Sequence, residues 1–113
     1  MRAVIQRVSY AEILVDKELI SKIDAGLLIF LGIEINDNYD DIKWLANKIV
    51  HLRLFADNDG VMNKSVMDIE GEILVVSQFT LHAKTKKGAR PSYIRAAKSK
   101  EAQPVYEDFC KEI

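Results

Sequence analysis

Cysteine, histidine, proline and glycine are scarce in this 113-residue sequence, which contains one, two, two and five of them, respectively. The lone thiol, Cys110, cannot form a disulfide within the chain, and this agrees with a reducing compartment. Because His51 and His82 are the only imidazoles, a structural zinc site is not expected. We therefore predict neither a metal nor a cofactor.

Long apolar runs are missing as well. The first residues, MRAVIQRVSYAEILVD, alternate polar and apolar side chains and lack the apolar stretch of a signal peptide or membrane span. We therefore expect a cytoplasmic protein with no membrane partner. The hydrophobic content of 49% is nevertheless enough for a core, and a length of 113 residues predicts one domain.

Acidic residues are absent between Glu72 and Glu101. That segment carries a charge of +7, whereas the rest of the chain, with nine basic and seventeen acidic residues, carries −8. A partner that bears phosphates is one interpretation of this asymmetry, and a well-hydrated basic loop is the other. The basic residues of the segment are Lys84, Lys86, Lys87, Arg90, Arg95, Lys98 and Lys100.

Alternation of polar and apolar residues predicts a meander of three strands over residues 2–9, 10–16 and 18–23. The segment GLLIFLGI (26–33) is apolar on both faces, which is typical of a covered strand, so we place it at the centre of a sheet. A short strand is predicted in HLRLFADNDG, ending in a turn, and a second buried strand in EILVVSQFTL (72–81).

Two helices are predicted from apolar residues at helical spacing. The first covers residues 39–50 after the cap candidates Asp37 and Asn38, and the second covers residues 99–113 with Ser99 as its cap. Strands, a helix, further strands and a second helix give an α+β fold with mostly antiparallel sheets. We expect a barrel-like or layered core with these two main helices.

The predicted strand over residues 72–81 ends in polar side chains. On an extended backbone, Gln78 and Thr80 would face one way, and Ser77 and Phe79 the other. Backbone N–H groups and hydroxyls at such a strand end can serve ester chemistry, with Phe79 as a stacking surface for a base. Alternatively, the hydroxyls cap the strand and Phe79 belongs to the core. Because there is no Ser-His-Asp order and no Gly-rich loop, the residues by themselves favour this second interpretation.

Two further side chains carry alternative interpretations. His82 would share a strand face with Thr80 and could act as its base, but a spacing of two rarely gives hydrogen-bonding geometry, so we expect a partly exposed loop residue. Arg7 alternates with Ala3 and Ile5 in the first strand. It either anchors a backbone segment or a ligand group, or lies at an edge with its guanidinium in water.

Five segments in a fixed order resemble one known family. They are MRAVIQRV, GLLIFLGI, LRLFADNDGVMN, GEILVVSQFTL and KKGARPSY. Together they are similar to the D-aminoacyl-tRNA deacylase family, in register from Met1 to about Ile113. Each segment alone is weak evidence, but the order of all five, with SQFTL intact, is specific.

The resemblance implies a homodimeric cytoplasmic esterase that hydrolyses the bond between a D-amino acid, or glycine, and the terminal ribose of tRNA. Thr80 would be either a nucleophile or a positioning group, and we favour the second role because the sequence shows no base that could activate it. The implied residues are Ser77, Gln78 and Thr80 for catalysis, Phe79 and Arg7 for substrate binding, and Lys84, Lys86, Lys87 and Arg90 for tRNA.

A second family motif, Asn-x-Gly-Pro-x-Thr, does not occur in residues 1–113, whose two prolines follow Arg90 and Gln103. In the family this loop reaches into the partner subunit's pocket and excludes L-amino acids. We therefore expect a single deacylase-like domain over residues 1–113 that is incomplete at its C-terminal end. The alternative function is a dimeric nucleic-acid-binding protein of the same fold with impaired catalysis. A generic nucleotide-binding domain is a third, weaker option.

Overall fold

A computed structural model describes residues 1–86 and 88–113, and this part of the chain contains seven strands, one 3-10 turn and two α-helices. In chain order they are β1 (Arg2–Val8), β2 (Ala11–Val15), β3 (Glu18–Ile23), β4 (Gly26–Gly32), α1 (Tyr39–His51), β5 (Phe55–Ala56), β6 (Met62–Lys64), β7 (Glu72–Ser77), the 3-10 turn (Phe79–His82) and α2 (Ser99–Glu112).

The strand predicted to be central, β4, lies in the middle of a three-stranded sheet with the order β1-β4-β7. It pairs with β1 in antiparallel fashion, from Arg2 opposite Gly32 to Val8 opposite Gly26. It pairs with β7 in parallel fashion, and the last pair joins Leu31 to Ser77. β4 is therefore hydrogen-bonded along both edges, and its apolar residues contribute to the main core, as predicted for a central strand.

The predicted meander of the first three strands is wrong. β2 and β3 form a separate hairpin, whose turn places Asp16 and Lys17 at positive φ, while β1 pairs with β4. A two-residue turn of this kind suits a tight hairpin. In contrast, β1 gains more by pairing with β4, because Ala3 and Ile5 then pack against the main core.

The α+β class with a layered core is confirmed, and three of the four strand pairs are antiparallel. The exception is the parallel pair of β4 and β7, which is connected through α1 and the small β5–β6 hairpin. Of the short strand predicted in residues 51–60, only Phe55–Ala56 is extended, since His51 ends α1.

Both helices cover the same face of the sheet. Every second residue of β4 faces them, and these residues are fully buried together with the apolar stripe of α1 and with Phe109 of α2. The alternate β4 residues, Leu28 and Phe30, face the other side and are half-buried. The core residues from β4 and α1 are Leu27, Ile29, Leu31, Ile42, Ala46 and Ile49.

The first predicted cap is confirmed, and the second is wrong. Asn38 caps α1, because its side chain accepts hydrogen bonds from the N–H groups of Asp40 and Asp41 in a capping box. α2 begins instead after an extended Lys98, whose carbonyl accepts hydrogen bonds from the N–H groups of Glu101 and Ala102. Ser99 is therefore already the first helical residue and does not cap the helix. No helix within the described residues is long and apolar enough to cross a membrane.

Candidate active site

The strand predicted over residues 72–81 ends early, at Ser77, and the chain then forms the 3-10 turn Phe79–His82. The turn packs onto the end of β4, where a Cβ on Gly32 would lie 2.8 Å from the Cβ of Leu81. The Arg2 guanidinium also donates a hydrogen bond of 2.8 Å to the Leu81 carbonyl. A glycine at the end of β4 therefore lets the turn approach the sheet closely.

The 3-10 turn points its side chains in directions that differ from those of the predicted extended strand. A 3-10 helix has three residues per turn, so Thr80 and His82 point in different directions and His82 is not placed as a base for Thr80. The prediction that His82 is partly exposed is also wrong. Its side chain is 2% exposed, and neither ring nitrogen has a hydrogen-bond partner among the described residues.

Gln78 and Thr80 form a pair of their own. The Gln78 side-chain amide donates a hydrogen bond to the Thr80 hydroxyl oxygen, and both residues are half-buried. Because a hydroxyl has one hydrogen to donate, this contact leaves the Thr80 hydrogen free for another acceptor. The pair therefore presents an oriented hydroxyl.

Ser77 and Phe79, but not Gln78 and Thr80, line an open pocket of about 440 Å³ between the end of β7 and the start of α2. The pocket is within the size range of small-ligand sites. Its apolar lining comes from Phe79, Tyr93 and three alanines, and its polar lining from three residues. The alanines are Ala96, Ala97 and Ala102, and the polar residues are Ser77, Lys98 and Ser99.

Two aromatic rings stand on one side of this pocket. The centroids of Phe79 and Tyr93 are 5.0 Å apart, with an angle of 73° between the rings, which is an edge-to-face contact. Phe79 is 55% exposed, so the suggestion that it belongs to the core is wrong. Its ring remains free to stack with a planar ligand beside the alanines.

Segment 95–97 forms part of the pocket wall and is fixed to the chain after β4. Ile35 N–H donates to Arg95 O at 3.0 Å, Ala97 N–H donates to Ile33 O at 2.9 Å, and Arg95 Nε donates to Glu34 at 2.6 Å. Burial tends to raise the pKa of Glu34, but the Arg95 hydrogen bond and charge outweigh burial and hold this pKa below its usual value. Segment 95–97 is therefore held in place by the Arg95–Glu34 ion pair as well as by backbone hydrogen bonds.

Arg7 lies away from the pocket. Its guanidinium donates to the Leu54 carbonyl at 2.9 Å, so it anchors a backbone segment while its side chain is exposed. Arg7 pairs with Leu27, whereas Ser77 pairs with Leu31. These positions are about 13 Å apart along β4. A substrate-binding role for Arg7 stays a prediction.

Lys84, Lys86 and Arg90 lie in the surface loop that follows the 3-10 turn. Lys84 and Ser92 exchange two backbone hydrogen bonds, of 2.6 and 2.8 Å, which close the loop between them. Lys84, Lys86 and Arg90 are exposed, and the predicted tRNA-binding residue Lys87 lies outside the described residues. The loop leads directly into the pocket wall at Tyr93.

Sequence reasoning missed the residues that complete the pocket, namely Tyr93, Ala96, Ala97, Lys98 and Ala102. No periodic pattern marks them, because they come from an irregular segment and from the first turns of α2. The signals were the family segment KKGARPSY, which ends at Tyr93, and the charge of the segment that contains Lys98.

Comparisons with known proteins agree with one another. A family model described as D-Tyr-tRNA(Tyr) deacylase matches residues 4–113. Proteins named D-aminoacyl-tRNA deacylase from Azobacteroides pseudotrichonymphae and Bacteroides fragilis (strain YCH46) are 62% and 58% identical to this chain over 113 residues. Each match covers the whole of this chain and 75% of the relative.

Two solved structures share the fold. One is described as c-Myc DNA Unwinding Element Binding Protein, with a TM-score of 0.93 and 40% identity over 99% of this chain and 75% of that chain. The other is described as a probable eukaryotic D-amino acid tRNA deacylase, with a TM-score of 0.79 over 97% of this chain and 64% of that chain. At 17% identity, the second match supports the fold alone.

Proposed function

The chain belongs to the D-Tyr-tRNA(Tyr) deacylase family, and we propose that it hydrolyses the ester bond of D-aminoacyl-tRNA and of glycyl-tRNA. The products are the free amino acid and tRNA with a free terminal hydroxyl. The observation that carries the proposal is the pocket at the SQFTL segment, where Ser77 and Phe79 meet an apolar wall.

The terminal adenosine of tRNA suits this pocket. The three alanines leave room for a flat base, and the exposed face of Phe79 offers a stacking partner. Stacking on Phe79 does not require a particular base edge. The terminal nucleotide would therefore be selected by its position at the end of the tRNA, and not by the identity of its base. The ester on its ribose would then lie near the 3-10 turn.

Hydrolysis requires water to add to the ester carbonyl and the bond to the ribose oxygen to break. The Thr80 hydroxyl, oriented by Gln78, would donate to the carbonyl oxygen or hold the water, and Ser77 would contact the ribose. The N–H groups of Phe79 and Thr80 precede the first hydrogen bond of the turn and are available for the developing oxyanion. We therefore propose Thr80 as a positioning group rather than a nucleophile.

The basic loop would contact tRNA phosphates through Lys84, Lys86, Lys87 and Arg90. A cytoplasmic location follows from this substrate. We also propose a homodimer, in agreement with the family resemblance. Its support in the fold is the sheet face opposite the helices, where Val4, Phe30 and Val76 are cross-strand neighbours and Val4 is 51% exposed.

We expect the purified protein to release D-tyrosine from D-tyrosyl-tRNA, and L-tyrosyl-tRNA serves as the control for chiral selection. Release of both amino acids would mean that the ester-hydrolysing site works without chiral selection. If neither is released while tRNA still binds, the deacylase proposal is wrong for this polypeptide.

Charge reversal in the basic loop tests the tRNA contact. The double variant Lys84→Glu/Lys86→Glu is expected to weaken tRNA binding and to lower the slope of log K against log salt by about 2, since each lysine neutralises about one phosphate. Affinity for deacylated tRNA would be measured between about 50 and 200 mM salt. The matched control is Lys22→Glu/Lys43→Glu, at exposed positions on β3 and α1. An equal loss in both variants would show a nonspecific charge effect.

A second candidate function is nucleic-acid binding without hydrolysis. The observation that favours it is the 40% identity to a structure described as a DNA unwinding element binding protein. This function predicts that Thr80 substitutions leave binding unchanged and that the wild type has no turnover. The tyrosine-release assay therefore separates the two candidates.

A further inference from the structure

Among the residues that the structure describes, a single charged side chain lines the pocket, that of Lys98. The other cation of the wall segment, Arg95, is bound to Glu34. Lys98 is exposed and forms no ion pair with any described residue. An unpaired ammonium at the edge of an apolar pocket is free to bind an anion that enters with the ligand.

The main chain fixes Lys98 at this edge. Its carbonyl accepts hydrogen bonds of 2.9 Å from the N–H groups of Glu101 and Ala102, and Ala102 itself lines the pocket. Ala97, the preceding residue, is held to Ile33. The base of the lysine side chain is therefore positioned, and the residue is exposed to solvent.

No acidic side chain is among the described residues that line the pocket with Lys98. Glu34, Asp37 and Glu101 line a separate recess, which shares only Ala97 with the pocket. Residues 73–100 contain no acidic side chain. Ala97 thus borders both an acidic recess and a pocket whose charged side chain, among the described residues, is Lys98.

We propose that Lys98 binds the phosphate attached to the 5′ oxygen of the terminal nucleotide, so that the pocket distinguishes a nucleotide ester from an otherwise identical nucleoside ester. The proposal rests on the proposed function, which places the terminal adenosine in this pocket. In tRNA every terminal adenosine is joined to the preceding nucleotide through such a phosphate. Lys98 would therefore add specificity for the polynucleotide to a pocket whose other described lining residues are uncharged.

The test compares two small substrates that carry D-tyrosine on the same ribose hydroxyl and differ in one group, the 3′-O-D-tyrosyl esters of adenosine and of adenosine 5′-monophosphate. The wild type is expected to show a KM about fivefold lower for the phosphate-bearing ester, and Lys98→Gln is expected to abolish that preference while kcat stays the same. Added salt should reduce the wild-type preference, because the contact is exposed. The matched control is Lys100→Gln, which changes a lysine of α2 that does not line the pocket.

Binding provides a readout that does not depend on hydrolysis. Calorimetry with adenosine 5′-monophosphate and adenosine should show the same preference in the wild type and its loss in Lys98→Gln. If Lys98→Gln weakens both ligands equally, or if the wild type shows no preference, the phosphate contact is wrong. If the wild type keeps the preference in binding but hydrolyses neither ester, the phosphate contact stands and the deacylase function fails.

Discussion

Replacing Thr80 by valine is expected to lower kcat for D-tyrosyl-tRNA by about 100-fold, because the change removes the hydroxyl that, in the proposed mechanism, donates to the ester carbonyl or holds the attacking water. Valine keeps nearly the same shape, so the 3-10 turn should persist. The Gln78 amide would lose its acceptor, which adds to the effect. Single-turnover rates with saturating enzyme would measure the chemical step directly.

Two variants sharpen this result. Thr80→Ser keeps the hydroxyl and should restore most of the rate, whereas Thr85→Val removes a hydroxyl from an exposed loop position and should change nothing. A positioning hydroxyl gives no burst of tRNA release, because no acyl-enzyme accumulates. A stoichiometric burst would identify Thr80 as the nucleophile, and full activity of Thr80→Val would remove it from the mechanism.

Replacing Phe109 by alanine is expected to reduce the free energy of unfolding by about 3–5 kcal/mol. Phe109 is fully buried where α2 packs against β4 and α1, and truncation would leave a cavity in the main core. Since the first turns of α2 supply Ser99 and Ala102 to the pocket, loosening this helix should also impair substrate binding. Urea unfolding followed by circular dichroism would measure the change.

The same substitution at Phe79 is the matched control. Phe79 is 55% exposed, so Phe79→Ala should cost little stability but should raise KM through the lost stacking surface. The two variants thus separate a structural phenylalanine from a ligand-binding one. A small stability loss in Phe109→Ala, with an unchanged dependence on urea, would show that α2 does not anchor the core.

The local elements were predictable because their causes are local. The apolar run of β4 needs cover on both faces, the cap of α1 at Asn38 is a contact within four residues, and Phe109 lies on a helical stripe. The five family segments in their fixed order, with SQFTL intact, pointed to the family, and the comparisons confirmed it. The basic segment was visible from composition alone.

The sequence by itself determined the fold class, the central strand, both helices and the family. Only the tertiary structure decided that β1 pairs with β4, that His82 is buried and that the polar strand end is a turn. It also decided which distant residues, Lys98 among them, meet Ser77 and Phe79. The physical reason is that strand pairing and pocket lining depend on contacts between segments far apart in the chain, whose packing overrides local alternation.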